Sequence, residues 1–242
     1  MAIQTDPLPI FRSRHLMIAM CLIVTILSSA SASPNTLTVQ GGRPVDKAIQ
    51  ELEKRYGWQI TYEDPPYIHY SDITDVSDND WPGVPVQSPS QLQLARESGA
   101  HHRTLVPKGA SLTFTLPSAG AGLLHVVPRK ARGLSGNLEL VKPVLDTLIT
   151  IEPRARTSYE LLEEVLKKIS VATNANVVIG VGSENMLDNT KTSIGGSGKT
   201  ARSILEQWIL EDGSSLSWRL FYGPSMKWYV LNVSQVSAVK KQ

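Results

Sequence analysis

The sequence predicts an α+β protein built of two small βαβ-type units, with helices packed on mixed sheets. Three observations predict it. From Leu145 to Val233 the apolar spacing switches period repeatedly, giving strand, helix, strand, strand, helix, strand, strand (β-α-β-β-α-β-β) with short connections. From Thr36 to Tyr67 the first part of that order occurs once already, as in a diverged internal repeat. The last two strands alternate around Gly223-Pro224-Ser225 and read as a hairpin.

The 242 residues divide into five stretches. Residues 1–32 read as a signal peptide, 33–67 as the first unit, 68–144 as an irregular loop and hairpin region, 145–233 as the second unit, and 234–242 as a tail. In the first stretch Arg12 and Arg14 flank an apolar run, Leu16 to Leu27, and Ala30-Ser31-Ala32 offers small residues for cleavage after Ala32. A membrane-spanning helix needs about 20 apolar residues, more than this run holds. Removal of the segment is the expectation, with its retention as an anchor the alternative, and no stable membrane insertion is expected once it is removed. The one cysteine, Cys21, lies inside the run, so the mature chain is expected to have neither a disulfide nor thiol chemistry. A periplasmic or secreted location follows as the expectation.

In the first unit, Thr36 to Gln40 alternates as a short strand, and Gly41-Gly42 breaks it. Pro44 suits the first position of a helix. Val45, Ala48, Ile49, Leu52 and Tyr56 share one face of that helix, and Lys47, Gln50, Glu51, Glu53 and Lys54 share the other. Gly57 is placed to cap its end. Trp58 to Tyr62 is the next strand, stopped by Pro65-Pro66. Tyr67 to Leu105 carries scattered aspartates and prolines and reads as a long loop or lid. Ser111 to Leu116 and Leu123 to Val127 read as two strands around a glycine-rich turn.

In the second unit, Leu148 to Ile151 is a strand. Thr157 and Glu160 have the spacing of a capping box, in which each side chain satisfies a free backbone N–H of the other. The helix after it places Leu162, Val165, Leu166 and Ile169 on one face. Asn176 to Gly180 is a strand, and Lys191 to Ile194 a weaker one. Thr200 to Leu210 is a helix with Ala201, Ile204, Leu205 and Trp208 inward, ended by Asp212-Gly213. Leu216 to Tyr222 and Lys227 to Val233 form the hairpin.

The features from the capped helix Thr157–Ala172, through Val177-Val178-Ile179 and the helix Thr200–Leu210, to Leu216-Ser217-Trp218 and Trp228-Tyr229-Val230 resemble the short N-terminal domain of secretins and of TonB-dependent receptors that signal across the outer membrane. Arg43-Pro44-Val45-Asp46-Lys47-Ala48, with Tyr56-Gly57-Trp58 and Ile60-Thr61-Tyr62, looks like the first half of a second copy. The chain is also similar to exported bacterial proteins of unknown role that carry this pattern twice. The resemblance implies a small α+β module that binds other proteins in the periplasm. It comes without a secretin pore, a plug or a barrel, so transport or gating by this chain is not what it implies.

Composition and motifs leave little room for other classes. Two arginines and one aspartate lie in the first 32 residues, leaving 22 basic and 21 acidic side chains in the remainder. That balance gives no footprint for nucleic acid. Gly195-Gly196-Ser197-Gly198-Lys199-Thr200 looks like a phosphate loop, but Ser193 stands where the leading glycine belongs. It reads instead as a turn that opens the second helix, with Ser197 or Thr200 near its N-cap. Asp72, Asp75, Asp78 and Asp80 lack the spacing of a calcium loop. His69, His101, His102 and His125 lack the spacing of zinc ligands, and His125 sits on an apolar strand. There is no nucleophile elbow and no paired metalloprotease histidines. No catalytic, cofactor-binding or metal-binding residue is assigned, and no cofactor is expected.

The aromatic residues concentrate at the end of the chain. Alternation turns Trp218, Leu220 and Tyr222 to one face of the hairpin and Arg219 and Phe221 to the other. One face belongs to the core. The other is either covered by the first unit or forms a binding patch, for which Phe221, Tyr229, Arg219 and Trp228 are the candidates. The expected function is a non-enzymatic periplasmic protein-interaction module whose partner is an envelope protein, engaged through a sheet edge or that second face. The alternative is an envelope ligand-binding or hydrolytic protein with residues 68–105 as a lid over His101 and His102.

Overall fold

The computed structural model describes residues 43–68, 72, 104–105, 113–115, 123–180, 182, 184–213 and 215–236. The expected leader, the strand Thr36–Gln40, nearly all of the 68–105 loop and the tail beyond Val236 lie outside the described residues. The fold is α+β, as the sequence predicts, with four described helices and mixed sheets.

Helix α1 runs Pro44–Tyr56 behind an Arg43 N-cap in left-handed conformation. Val45, Ala48, Ile49 and Leu52 are buried, as their spacing requires. Gly57 takes φ 64° and returns its N–H to the Glu53 carbonyl, the left-handed closure that favours glycine. Strand β1, Ile60–Glu63, follows directly. Short strands β2 (Thr104–Leu105) and β3 (Thr113–Thr115) lead to β4, Leu124–Arg132. This last strand outruns its expected end at Val127. It passes Pro128 by shifting register with β3 between Thr113 and Phe114, an irregularity that suits a residue without an N–H. Strand β5, Leu138–Leu140, folds back on β4.

The second part begins with a 3₁₀ turn, Val144–Asp146, and β6, Leu148–Ile151. A two-residue strand β7, Arg156–Thr157, opens α2, Ser158–Thr173. The capping box is formed: Thr157 Oγ1 accepts from the Glu160 N–H at 3.2 Å, and the Glu160 carboxylate accepts from the Thr157 N–H at 2.8 Å. Strand β8 is Asn176–Ile179. A short helix α3, Glu184–Asn189, which the sequence pattern does not signal, precedes β9, Lys191–Thr192, and β10, Gly196–Thr200. Helix α4, Ala201–Asp212, leads to the hairpin of β11, Leu216–Gly223, and β12, Trp228–Gln235.

The main sheet runs β2-β3-β4-β1-β11-β12-β8, with β5 also on β4. Strand β1 lies between β4 and β11 and is parallel to both. One sheet therefore carries strands from both expected units. The β6–β10 ribbon is separate and antiparallel. At Gly195 an added Cβ would come within 2.5 Å of the Pro153 backbone nitrogen, so the chain approaches β6 as closely as it does only through glycine.

Helices lie on both sides of the sheet. On one side α1 packs on Ile60, Tyr62, Leu124 and Val126. On the other, α2 and α4 pack on Trp218, Leu220, Leu231, Val233 and Val177, and Ile149 and Ile151 of β6 close the same core. Leu162, Val165, Leu166 and Ile169 are all at most 2% exposed. Each such burial contributes about 1.5–3 kcal/mol before entropy. Among the described residues, no helix is long and apolar enough to cross a membrane.

Replacing Leu166 with alanine removes a side chain sealed between α2 and the sheet. Chemical denaturation is expected to register a loss of about 2–5 kcal/mol, and a loss below about 1 kcal/mol would contradict this packing.

Candidate functional site

Four carboxylates that the sequence pattern places in solvent or leaves unassigned, Asp46, Glu53, Glu63 and Asp64, are buried between the layers. Asp46 and Glu53 stand seven residues apart on α1, two helical turns, and so share its sheet-facing side. Both reach Arg219 of β11: Asp46 Oδ1 lies 2.6 Å from its Nε, and Glu53 pairs with its Nη2. Arg219 Nη1 also donates to Ser234 Oγ at 2.9 Å. Burial pushes the Asp46 and Glu53 carboxyls above their ordinary values, and Arg219 pulls both back. Glu53, expected on the solvent face, is thus an internal partner, because Arg219 gives its charge an apposed ligand.

Glu63 ends β1 and Asp64 follows it, on opposite sides of the sheet. Glu63 pairs with Arg202 of α4 and accepts from the Val144 and Leu145 N–H groups at 2.5 and 3.3 Å. Arg202 Nε donates in turn to Asp146 at 2.9 Å. Asp64 accepts from Arg43 Nε at 3.1 Å, from the Tyr62 hydroxyl at 2.5 Å and from the Tyr222 N–H at 2.9 Å. Arg43 stacks over the Phe221 ring at 4.7 Å and donates to the Tyr222 carbonyl at 3.1 Å. Burial raises both the Glu63 and Asp64 carboxyls, against the pull of their arginines.

One further constellation has the residue types of an acyl-transfer triad. Thr61 Oγ1 and His125 Nδ1 are 2.5 Å apart, and His125 Nε2 is 3.7 Å from Glu206. The Thr61 hydroxyl is fully buried, and His125 is 3% exposed and packed on Trp218 with ring centroids 5.4 Å apart. A substrate has no access to it in this state, and it joins sheet to α4. Burial lowers the His125 imidazole, while Glu206 raises it and the Arg202 guanidinium lowers it further.

The other sequence candidates separate. Gly196–Thr200 is strand β10, not a phosphate loop. Thr200 caps α4 by accepting from the Ser203 N–H at 3.1 Å, and Lys199 donates to Gln207 at 3.0 Å. Asp72 lies 3.7 Å from Arg132. Asp75, Asp78, Asp80, His69, His101 and His102 lie outside the described residues. Among the described residues no three His, Cys, Asp or Glu gather as metal ligands.

The four surface candidates also divide. Arg219 is buried beneath α1, and Tyr229 is 6% exposed and packs in the α2–α4 core. Tyr229 leaves the second face because the four-residue turn sets Tyr222 opposite Tyr229 and Gly223 opposite Trp228. Phe221 is half-buried against α1. Trp228 is 37% exposed on the second face. Val230 pairs with Phe221 on one side and with Val178 of β8 on the other, so Trp228, Val230 and Val178 form an apolar strip that α1 leaves uncovered.

Strand β8 ends the sheet. Gly180 donates to the Leu231 carbonyl, so Val178 and Gly180 turn their backbone groups to β12, and Val177 and Ile179 turn theirs outward. The Ser170 hydroxyl of α2 accepts the Val177 N–H at 3.0 Å. Half of the outward edge is thereby capped from within the chain, a known way to blunt an edge strand. Beside it an open groove of about 940 Å³ runs between α2 and β8, lined by Tyr159, Glu163, Lys167, Val171, Val177 and Ile179 among others. The sequence pattern signals the strip through Trp228, but not the groove, which requires knowing that β8 ends the sheet.

Compared with known proteins, the chain matches no family model, no curated protein and no solved structure.

Two expectations follow from the buried charges. Arg202→Met strands the Glu63 carboxylate in the interior and is expected to cost about 3–5 kcal/mol in denaturant unfolding, whereas a near-neutral result would remove Arg202 from the structural core. The second concerns His125. Its folded pKa lies below the ordinary 6.5, so the unfolded chain takes the proton first as pH falls. The stability from neutral His125 is complete above pH 6.5 and declines below it toward the folded value. Melting temperatures at about pH 7.5 and about pH 5 should therefore diverge more in the native chain than in His125→Gln; equal slopes would refute the assignment.

Proposed function

We propose that this chain is a non-enzymatic protein-interaction module of the bacterial cell envelope. The observation that carries the reading is the apolar strip Trp228, Val230 and Val178 at the β8 end of the sheet, on the face opposite α2 and α4 and beyond the reach of α1. An exposed tryptophan beside two valines, rimmed by the polar Asn176 and Asn232, has the composition of a contact patch. The leader-like segment at residues 1–32 supports export to the periplasm. The succession β6, α2, β8, β10, α4, β11, β12, with the short elements β7, α3 and β9 interposed, supports the likeness to the short N-terminal domain of secretins and TonB-dependent receptors. The capped β8 edge favours docking by side chains over simple strand addition. The partner is an envelope protein.

A photo-crosslinking amino acid at position 228, in cells expressing the full chain, is expected to capture an envelope protein. The same group at position 134, on an exposed turn far along the chain, should not. Val178→Asp in the same chain, which puts a charge into the strip beside that group, should abolish the adduct with a stability change within about 1 kcal/mol. Capture at both positions, or at neither, would refute this surface.

A further inference from the structure

The outward face of α2 is ordered by charge. Glu160, Glu163 and Glu164 occupy its first half, Lys167 and Lys168 its second, and Val171 follows, 79% exposed. All six line the groove beside β8. Acids near the start of a helix and bases near its end complement the helix dipole, which accounts for the order within one chain. The same order is also complementary to itself. A two-fold axis crossing α2 between Val165 and Leu166 sets position 163 beside 167 of the second copy on one flank, 164 beside 168 on the other, and 160 opposite 171. Glu163 and Glu164 then each meet a lysine of an antiparallel second helix, and Val171 meets the Tyr159–Glu160 end. A parallel second helix would set like charges together.

Two features make the groove the seat of such a contact. It runs along α2 with Val177 and Ile179 in its lining, so a helix lying there touches apolar floor as well as charge. The edge beside it is capped at Val177 by Ser170, which keeps the contact from becoming an extended sheet. Both Arg154 and Arg156 bind Glu164 through Oε2, which leaves Oε1 for a partner. We propose that the α2 groove is the contact between two copies of this chain, docked antiparallel about a two-fold axis. This rests on the reading of the chain as an interaction module and gives it a second surface, apart from the Trp228 strip, whose partner is another copy. The contact is isologous: whatever residue 163 of one copy touches, its counterpart touches in return.

The test is sedimentation of the full chain over sub-millimolar concentrations with two single variants, Glu163→Lys and Lys167→Glu. Both positions are exposed on a well-packed helix, so melting temperatures should hold. The native chain is expected to dimerise, and each variant alone to dimerise about tenfold more weakly, since each puts like charges in both symmetry-related pairs. An equal mixture of the two variants should recover the native affinity. In the mixed dimer one chain is basic at both positions and the other acidic at both, so each pairing of 163 with 167 is again of opposite sign. A native chain that stays monomeric overturns the proposal, and so does a dimer indifferent to both variants. A monomer that still captures an envelope protein at position 228 overturns the dimer alone, whereas loss of that capture is what overturns the interaction module.

Discussion

The fold depends on the placing of β1 between β4 and β11. That strand is only four residues long, yet it joins the α1 segment to the hairpin and completes one continuous sheet. A strand so short has little apolar side chain to hold it. Ile60 and Tyr62 pack under α1, and the remaining hold is polar. Its last residue, Glu63, meets Arg202 on one side of the sheet, and the next residue, Asp64, meets Arg43 on the other. A buried ion pair adds little net stability over a well-packed apolar pair, because both charges lose water. Its effect here is on register. Sliding β1 by one residue would turn Glu63 toward Arg43's side and Asp64 toward α4, and would leave Arg202 unmatched.

The same logic fixes α1. Asp46 and Glu53, two turns apart on α1, converge on one guanidinium, which sets both the rotation of the helix and its height on the sheet. With α1 held over β4, β1 and β11, nothing among the described residues covers the second face of β12 and β8. The uncovered strip at Trp228 and Val178 is therefore a consequence of where Arg219 stands, the five strands from β4 to β8 being broader than one helix of about 10 Å diameter can shade. Surface and internal charge are linked through a single residue of the hairpin.

The sequence makes the local elements legible. The capping box at Thr157, the glycine stop at Gly57, the inward faces of α2 and α4 and the two-face division of β11 all rest on spacings of four residues or fewer, and all are present. What it hides is non-local. Periodicity sorts charged residues outward, so Glu53 reads as solvated until Arg219, far along the chain, is known to lie beneath it. Tyr229 reads as a surface residue because a hairpin's parity depends on the turn, and Lys227 with φ 54° adds the residue that moves Tyr229 to the core side. The insertion of β1 carries no local signal at all. Parallel pairing to two strands that follow it much later in the chain is a property of the assembled sheet.

The apparent repeat gains a physical meaning from this arrangement. Helix α1 with β1, and helix α2 with β8, each deliver a strand parallel to one strand of the central hairpin. Their helices nevertheless lie on opposite sides of the sheet. A hairpin flanked in this way has both faces buried along β11, where the two layers overlap, and only one face buried along β12 and β8. Trp218 and Arg219 show the consequence at neighbouring positions: one packs an indole into the α2–α4 core, and the other carries the ion cluster under α1. Asymmetric covering, rather than any single aromatic residue, is what leaves Trp228 at the surface while Tyr229, its neighbour, is enclosed.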